Sequence, residues 1–424
     1  MCHLPEKFRP RSASRPIRAA PRRSRGLPCA LWCVAAALWM VRGAGAAEPL
    51  RVFPGASPED MSRGLPEGAF APQYRTDRAF MESYSAWIQL EDGSTLLINL
   101  PLTNLPSPHE CSVAVDLYRP DGREVLGEAQ FSSDRLEVSN SRVSCGGNVL
   151  EQVGPGAYRL RADLPRSDQA GRLSVDLSFV ATIPGFRRGD GRVHFGEEGY
   201  FELRLLVPWG TVTGRYTLDG VQHTATGQVY LDYAAQSLWA HELADFWLSY
   251  RFFSDTLYMA ATTFRTPNDR GRKTIHHVTV VLENECEGGS SGVATGDANG
   301  TGSDSGRVPC SRRAFVTGKQ ALELTGAVFD TWSGYEVPGH VRAVVQGPGV
   351  QVELALDTSP NLLSKEYILA PLNPLVRAVI STFIARPYTY RYRARVIARV
   401  TSADGTSRPV PGTFVGEMIF VNSP

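Results

Sequence analysis

The sequence predicts an all-β protein of antiparallel strands arranged in two consecutive domains. Three observations predict this class: apolar and polar side chains alternate in short segments, Asp-Gly pairs recur between these segments, and the 424-residue chain is too long for one small domain. From Leu173 to Phe179 every second residue is apolar, which is the period of a half-buried strand. Asp-Gly pairs suit hairpin turns because both residues tolerate positive φ.

Similar segments recur along the chain. The Asp-Gly pairs begin at residues 92, 121, 190, 219 and 404. Further runs that predict strands lie at 95–100, 112–118, 201–207, 224–231, 256–264, 275–282, 350–356, 388–400 and 413–421. We therefore expect antiparallel meanders joined by tight turns.

One segment near the C-terminus predicts a short helix instead. Asn373 can cap it, Pro374 suits its first position, and Pro387 ends it. Apolar residues recur between them at helical spacing, namely Val376, Val379, Ile380, Phe383 and Ile384. Such a stripe must pack on something, so we expect the helix to lie against the sheet; a membrane-facing helix is the alternative.

The first 47 residues have the pattern of a signal peptide. Basic residues from Lys7 to Arg25 precede an apolar run at 27–41, and small residues follow at 44–47. The run is shorter than the roughly 20 residues that span a bilayer. We therefore expect cleavage after Ala46 or Ala47 and a periplasmic or secreted protein, with an uncleaved anchor as the alternative.

Charge and cysteine content agree with an exported protein that does not bind nucleic acid. Nine of the 44 Lys and Arg but only one of the 43 Asp and Glu precede residue 48, so the remainder carries a net charge of −7. That remainder holds four cysteines, an even number suited to disulfides. Of the three pairings we favour Cys111 with Cys145 and Cys286 with Cys310, because each pair is close in sequence. Zinc is the competing use, but no C-x-x-C spacing is present.

No segment carries a specific catalytic, metal or cofactor motif. Residues 288–292 match the nucleophile-elbow pattern only inside a glycine-rich loop at 287–309, which we expect to be flexible. Residues 297–308 begin like a calcium loop but end in Val308, where a carboxylate is required. His276 and His277 are neighbours on a predicted strand and so point to opposite faces. We expect no metal and no cofactor.

The segment at 227–267 is unusually rich in aromatic residues. Its candidate ligand-binding residues are Tyr230, Asp232, Tyr233, Gln236, Trp239, His241, Trp247 and Tyr250. Rigid rings with a few polar tips are typical of a concave site for a large apolar molecule. The alternative is a barrel core filled by the same rings. The polar members would be costly to bury unless they pair with one another or meet a ligand headgroup.

These residues resemble a central motif of the survival-factor family of double lipocalin-like proteins, which belongs with carotenoid hydratases and AttH-like proteins. In this chain the motif comprises Gly227-Gln228-Val229-Tyr230, Gln236, His241, Trp247, Phe252-Phe253-Ser254 and Thr266-Pro267. Similar pieces follow the family's order at 87–93, 184–191, 208–210, 386–392 and 416–420.

The resemblance implies two consecutive lipocalin-like antiparallel β-barrels. We place them at residues 76–219 and 220–424, after an extended lead-in at 48–75. It also implies a lipid, sphingolipid-like molecule or isoprenoid as ligand and a link to oxidative-stress survival. The hydratase-type site resembles Asp-His-x-Trp, whereas here Asp232 is followed by Tyr233, which weakens the case for proton-transfer chemistry.

Three functions are open at this point. The first is an exported carrier that binds a hydrophobic small molecule or lipid without converting it. The second is a hydratase, isomerase or cyclase for an unsaturated apolar substrate, with Asp232 as proton donor or orienting group and His241 or Tyr233 assisting. The third is a structural or interaction module whose barrels are filled. Peripheral membrane contact and the oligomeric state are left open.

Overall fold

Two large antiparallel sheets follow one another along the chain. The computed structural model describes residues 49–104, 108–197, 199–283, 312–368, 381 and 385–422. Strands dominate these residues, and each large sheet curls into a nearly closed barrel, as the sequence predicts.

The first sheet contains fourteen strands. They are β1 (Leu50–Val52), β2 (Met81–Leu90), β3 (Thr95–Thr103), β4 (Glu110–Tyr118), β5 (Glu124–Phe131), β6 (Leu136–Val138), β7 (Arg142–Cys145), β8 (Asn148–Gly154), β9 (Ala157–Pro165), β10 (Arg172–Ala181), β11 (Arg192–Phe195), β12 (Gly199–Leu218), β13 (Val221–Thr224) and β14 (Gly227–Gln236). The main order across it is β5-β4-β3-β2-β14-β12-β10-β9-β8-β7-β6.

The remaining strands build the second barrel and one small hairpin. They are β15 (Phe246–Phe253), β16 (Leu257–Arg265), β17 (Thr274–Glu283), β18 (Arg312–Thr317), β19 (Gln320–Thr325), β20 (Val328–Phe329), β21 (Glu336–Val337), β22 (His340–Gly347), β23 (Val350–Asp357), β24 (Leu362–Tyr367), β25 (Tyr388–Ser402) and β26 (Ser407–Phe420). The second sheet runs β18-β17-β16-β15-β26-β25-β23-β22-β19, with β24 on β25, while β20 pairs with β21.

Helices are short in the described part of the chain. They are α1 (Asp60–Arg63), α2 (Ala240–Leu243) and 3-10 turns at Ser133–Arg135, Asn268–Arg270 and Ser359–Asn361. No helix among the described residues is both long and apolar enough to cross a membrane.

Four of the five Asp-Gly pairs join strands that neighbour each other, at 92, 121, 219 and 404. The expected turn with two positive φ angles forms only at the third, where Asp219 has φ 51° and Gly220 has φ 86°. At the other three, the glycine alone has positive φ. In these three turns the residue with a left-handed backbone is therefore glycine, for which that conformation carries the smallest free-energy cost.

The boundary between the barrels lies later in the chain than residue 220. Strands β13 and β14 both belong to the first sheet, and β14 pairs with β2 along its whole length. The change of sheet falls between Gln236 and Phe246, where α2 makes the crossing. The aromatic pattern could not place this point because β14 packs against both barrels, one face on each.

Several predicted features lie outside the described residues. These are the signal peptide at 1–47, the loop at 287–309 with Cys286 and Cys310, and almost all of the helix between Asn373 and Pro387. The lead-in contains β1 and α1 and is otherwise irregular as far as residue 80.

The predicted Cys111–Cys145 disulfide is present and closes the first barrel. Cys111 lies on β4 and Cys145 on β7, which are next to the two opposite ends of the strand order. Both cysteines are buried in the first core. An isolated bridge between Gly127 and Arg166 also brings β5 towards β9. The bond therefore links strands that lie next to the two opposite ends of the strand order, where the bridge at Gly127 is short.

Replacing both cysteines with serine (C111S/C145S) should lower the free energy of unfolding by about 4 kcal/mol, because the bond closes a loop of 34 residues in the unfolded chain. Chemical denaturation measures the change. A reductant should destabilise the wild type by a similar amount and leave the double variant unaffected. Equal stability of oxidised wild type and variant would contradict a role in closure.

Candidate functional site

The aromatic segment at 227–267 is divided among three places instead of lining one cavity. Successive residues of a strand point to opposite faces. Tyr233 therefore lies in the core of the first barrel and Tyr250 in that of the second. Tyr230 belongs to a third buried cluster between the barrels, and the partly buried Trp247 packs against it. Asp232 lies on the same face of β14 as Tyr230, with 6% of its surface exposed.

Both barrel interiors are packed with their own side chains. The rings in the first core include Phe70, Tyr84, Tyr158, Phe179 and Tyr216. Those in the second include Tyr250, Phe252, Tyr390, Tyr392 and Phe414. The rings that point into the barrels therefore fill the cores, which is the alternative to a ligand cavity that the sequence left open.

The other predicted site residues lie around the crossing between barrels. Gln236 ends β14, and its amide nitrogen donates to the Leu238 carbonyl at 3.0 Å. Trp239 and His241 are partly buried at α2, and desolvation lowers the pKa of His241. In the part of the chain that the structure describes, none of these three residues forms a hydrogen bond with Asp232, so the predicted Asp232–His241 pair is not brought together.

We call the buried layer between the barrels the seam, centred on Trp87, Trp209, Tyr230, Asp232, Arg251, Tyr258 and His277. Its first wall is formed by outward-facing residues of β2, β12 and β14, and its second by those of β15, β16 and β17. Each residue in this centre has less than a tenth of its surface exposed. The seam thus combines aromatic rings with ionisable groups that water does not reach.

Arg251 holds the middle of the seam with 1% of its surface exposed. Its guanidinium carbon lies 3.8 Å from the centre of the Tyr230 ring and 5.0 Å from that of Trp87. Nη1 donates to the backbone carbonyls of Tyr250 at 2.8 Å and Ala261 at 2.9 Å. The cation is therefore held by rings of the first barrel and carbonyls of the second.

Asp232 is the counter-ion of Arg251. Its Oδ2 lies 3.5 Å from Nη2 of Arg251 and accepts a hydrogen bond from the Tyr230 hydroxyl at 2.8 Å. Burial raises the pKa of Asp232 to about 6, although Arg251 and the Tyr230 hydrogen bond both oppose that rise. The carboxyl can therefore exchange a proton near neutral pH.

A second, partly buried cation extends the charge pattern across the interface. Arg391 of β25 forms ion pairs with Asp116 of β4 at 3.3 Å and with Glu417 of β26 at 3.5 Å. Burial raises the pKa of Asp116 to about 7 and also raises the pKa of Glu417. Charges of alternating sign therefore lie along the interface and fix the position of one barrel relative to the other.

Four buried polar atoms of the seam lack a hydrogen-bond partner within the described structure. They are Nε of Arg251, Oη of Tyr258, Nε1 of Trp209 and Nε2 of His277. The rings of Trp209 and Tyr258 stack with their centres 6.0 Å apart. Burial lowers the pKa of His277 to about 3, which keeps its imidazole neutral. A buried polar group without a partner is costly, so this arrangement suits a guest that supplies hydrogen bonds.

Sequence reasoning missed Arg251, Trp87, Trp209 and His277 as members of the site. For Arg251 a signal was available: it occupies the same strand face as Trp247 and Phe253, where a charge needs partners as much as Asp232 does. Trp87, Trp209 and His277 come from other strands, and only the tertiary structure brings them together. Among the described residues, no group of three or more His, Cys, Asp or Glu could hold a metal ion.

An open groove of about 730 Å³ lies elsewhere, on the outer face of the first barrel. Its lining is polar and includes Arg161, Asp163, Arg172 and Asp176. Two ion pairs cross it, from Arg172 to Asp163 at 2.8 Å and from Arg215 to Asp176 at 3.6 Å. These paired charges do not suit an apolar ligand.

Comparison with known proteins places the chain in a family. Residues 125–422, which are most of the chain, match the Svf1 family. The chain belongs to the Svf1 family. The Svf1 match begins at β5 and therefore includes every strand of the second barrel.

Solved structures with both barrels resemble this Svf1-family protein. Kievitone hydratase from Nectria haematococca has a TM-score of 0.51 at 13% identity, covering 86% of this chain and 95% of that one. An AttH protein from Nitrosomonas europaea has a TM-score of 0.49 at 16% identity, covering 87% and 98%. CghA with Sch210972 has a TM-score of 0.47 at 11% identity, covering 82% and 90%.

The likeness to kievitone hydratase, at 13% identity, shows the fold alone and leaves the ligand open. No curated protein matches the sequence.

Asp232→Asn should change how stability depends on pH between 4 and 7. Because the folded-state pKa of about 6 exceeds the usual 3.8, the folded protein binds a proton in this window that the unfolded chain does not. The carboxyl's contribution is therefore fully present below pH 4 and is lost as pH rises through 6.

Relative to the Asn variant, the wild-type free energy of unfolding should fall by up to about 3 kcal/mol from pH 4 to 7. Chemical denaturation at each pH measures this difference. Asp404→Asn, at an exposed turn, is the control and should not reproduce it. Parallel profiles for wild type and Asp232→Asn would show that the pKa of Asp232 is not raised in the folded protein.

Proposed function

We propose that the protein binds and carries an apolar molecule bearing a hydrogen-bonding oxygen, and that it does so at the seam. The observation that carries this proposal is the set of unpartnered polar atoms on Arg251, Tyr258, Trp209 and His277, buried among aromatic rings. The family and the shared two-barrel fold support a ligand-binding protein in general terms.

The chemistry of the seam defines the class of ligand. Arg251 Nε and Trp209 Nε1 can only donate, so they require an acceptor such as a carbonyl, hydroxyl or carboxylate oxygen. Around them, rings such as Tyr258 and Phe253, whose centres lie 5.6 Å apart, favour an apolar body. A lipid or isoprenoid with one oxygen function satisfies both requirements.

Entry requires the barrels to part locally, because the seam residues are buried. The unpartnered atoms make that opening less costly, since they gain hydrogen bonds to water or ligand when exposed. Each CH₂ of the guest that enters contributes about 0.8 kcal/mol by leaving water. A guest of modest length can therefore stabilise the opened seam.

Tyr258→Phe should weaken binding of a fluorescent polyene fatty acid about tenfold, because it removes a hydroxyl available to the ligand and leaves the ring in place. Tyr392→Phe is the matched control: its hydroxyl is also buried without a partner, but it lies in the second barrel core. Fluorescence titration of the folded variants measures both. Equal losses in the two variants, or no binding by the wild type, would contradict a ligand site at the seam.

A second candidate is an enzyme that transfers a proton to an unsaturated apolar substrate. It is favoured by Asp232, whose raised pKa of about 6 and hydrogen bond from Tyr230 suit a general acid. The ion pair with Arg251 opposes this role, because it stabilises the carboxylate over the acid.

The enzyme candidate predicts deuterium uptake. Incubation of the protein with a polyene in D₂O should add deuterium to the recovered polyene, as measured by mass spectrometry. Asp232→Asn should abolish the uptake and retain ligand binding, with Asp404→Asn as the control. Uptake that persists in Asp232→Asn would remove Asp232 from the mechanism.

We also propose that the protein is exported to the periplasm or secreted. The basic, apolar and small-residue pattern of residues 1–47 supports this, and so does a buried disulfide that tightens the first barrel.

A further inference from the structure

The mouth of the first barrel, away from the seam, is covered by a short irregular stretch of the lead-in. We call Ala69–Tyr74 the cap segment; it lies outside every strand of the sheet. The Phe70 side chain enters the first core with 2% of its surface exposed, its ring centre 5.2 Å from that of Tyr84 and 6.0 Å from that of Tyr158. The segment therefore fills the barrel mouth with one aromatic anchor.

Side chains of the barrel hold the cap segment through its backbone. The Tyr84 hydroxyl donates to the Phe70 carbonyl at 2.6 Å, and Arg204 Nη1 donates to the Ala69 carbonyl at 2.9 Å. The Glu82 carboxylate accepts from the amides of Gln73 at 2.7 Å and Tyr74 at 3.1 Å. Donors of the barrel thus meet carbonyls of the cap segment and an acceptor meets its amides, so side chains of the barrel satisfy the backbone of an irregular, turn-containing segment.

The side chains that contact the cap segment are also held by contacts within the barrel itself. Glu82 and Glu202 are buried, with 2% and 1% of their surfaces exposed. Glu202 accepts from Arg204 at 2.5 Å and from Arg192 at 2.7 Å, and Glu82 accepts from the Tyr233 hydroxyl at 2.6 Å. The Arg204 guanidinium also lies 4.5 Å from the centre of the Tyr233 ring. These contacts orient Arg204 and Glu82 without any help from the cap segment.

The cap segment has the properties of a bound peptide. Pro72 confines Ala71 to an extended backbone, which lowers the entropy lost on binding. Among the described residues, its only side-chain hydrogen bonds to the barrel are those of Gln73, which donates to Glu202 at 3.0 Å and accepts from the Tyr200 hydroxyl at 2.5 Å. Affinity therefore rests on a buried ring and on backbone groups that any peptide carries.

We propose that the mouth of the first barrel is a peptide-recognition site, which the chain's own cap segment occupies and which can accept a partner peptide with an aromatic residue two positions before proline. The site is independent of the seam, since it uses the inward-facing residues of β2, β12 and β14, whereas the seam uses the outward-facing ones.

A competing peptide tests the proposal. The probe is the peptide Ala-Phe-Ala-Pro-Gln-Tyr with a blocked N-terminus and a C-terminal fluorophore. The receptor is the full chain carrying Phe70→Ser, which removes the internal aromatic anchor. Fluorescence polarisation should show at least tenfold tighter binding to this variant than to the wild type. A control peptide with Ser in place of Phe should bind at least tenfold more weakly.

Further variants test whether the peptide binds at the mouth of the first barrel. Tyr84→Phe in the Phe70→Ser background should weaken probe binding about fivefold, because it removes the hydroxyl that donates to the anchor's carbonyl. Circular dichroism confirms the fold, and Phe70→Leu replaces Phe70→Ser if the latter fails to fold. Equal binding of the two peptides, or no binding to a folded variant, would overturn the proposal.

Discussion

The burial of one guanidinium group, that of Arg251, constrains the layer between the two barrels. A cation without water requires a counter-charge, hydrogen-bond acceptors and polarisable surroundings. The structure supplies these from both barrels: Asp232 and the rings of Trp87 and Tyr230 from the first, and two backbone carbonyls from the second. The pairing of the barrels and the chemistry of the seam thus follow from the same residue.

That arrangement also explains why the seam has unpartnered atoms. Arg251 satisfies Nη1 and Nη2 with protein groups but leaves Nε without a partner, and the nearby Tyr258 hydroxyl is in the same state. A purely structural interface would gain by pairing or removing such groups, because each one costs free energy in the folded state. Their position in a layer of aromatic rings between the barrels supports the proposed ligand site.

The two barrels solve the problem of sheet closure differently. In the first, the Cys111–Cys145 bond draws the two ends of the strand order together, and the cap segment covers the mouth. In the second, β18 and β19 stand at opposite ends of the order yet follow each other in the chain, so a two-residue connection joins them. Edge strands are thereby protected in both barrels.

Much of the fold could be predicted from the sequence, because a period of two is imposed by the strand itself. Leu173 to Phe179 lies within β10 as expected, and the cysteine pair on β4 and β7 followed from proximity in sequence. The strand β14 could not be assigned to its barrel, since both its faces are apolar and local pattern does not say which sheet continues it. Part of the predicted site lies elsewhere for the same reason. Tyr230 and Tyr233 are three residues apart, but Tyr230 lies in the seam and Tyr233 in the core of the first barrel.

A crystal structure of the protein with a bound polyene fatty acid tests the central claim most directly. The account predicts ligand density between the barrels, with its oxygen within hydrogen-bond distance of Arg251 Nε or Tyr258 Oη. Density inside either barrel core, with the layer around Arg251 unchanged, would contradict it.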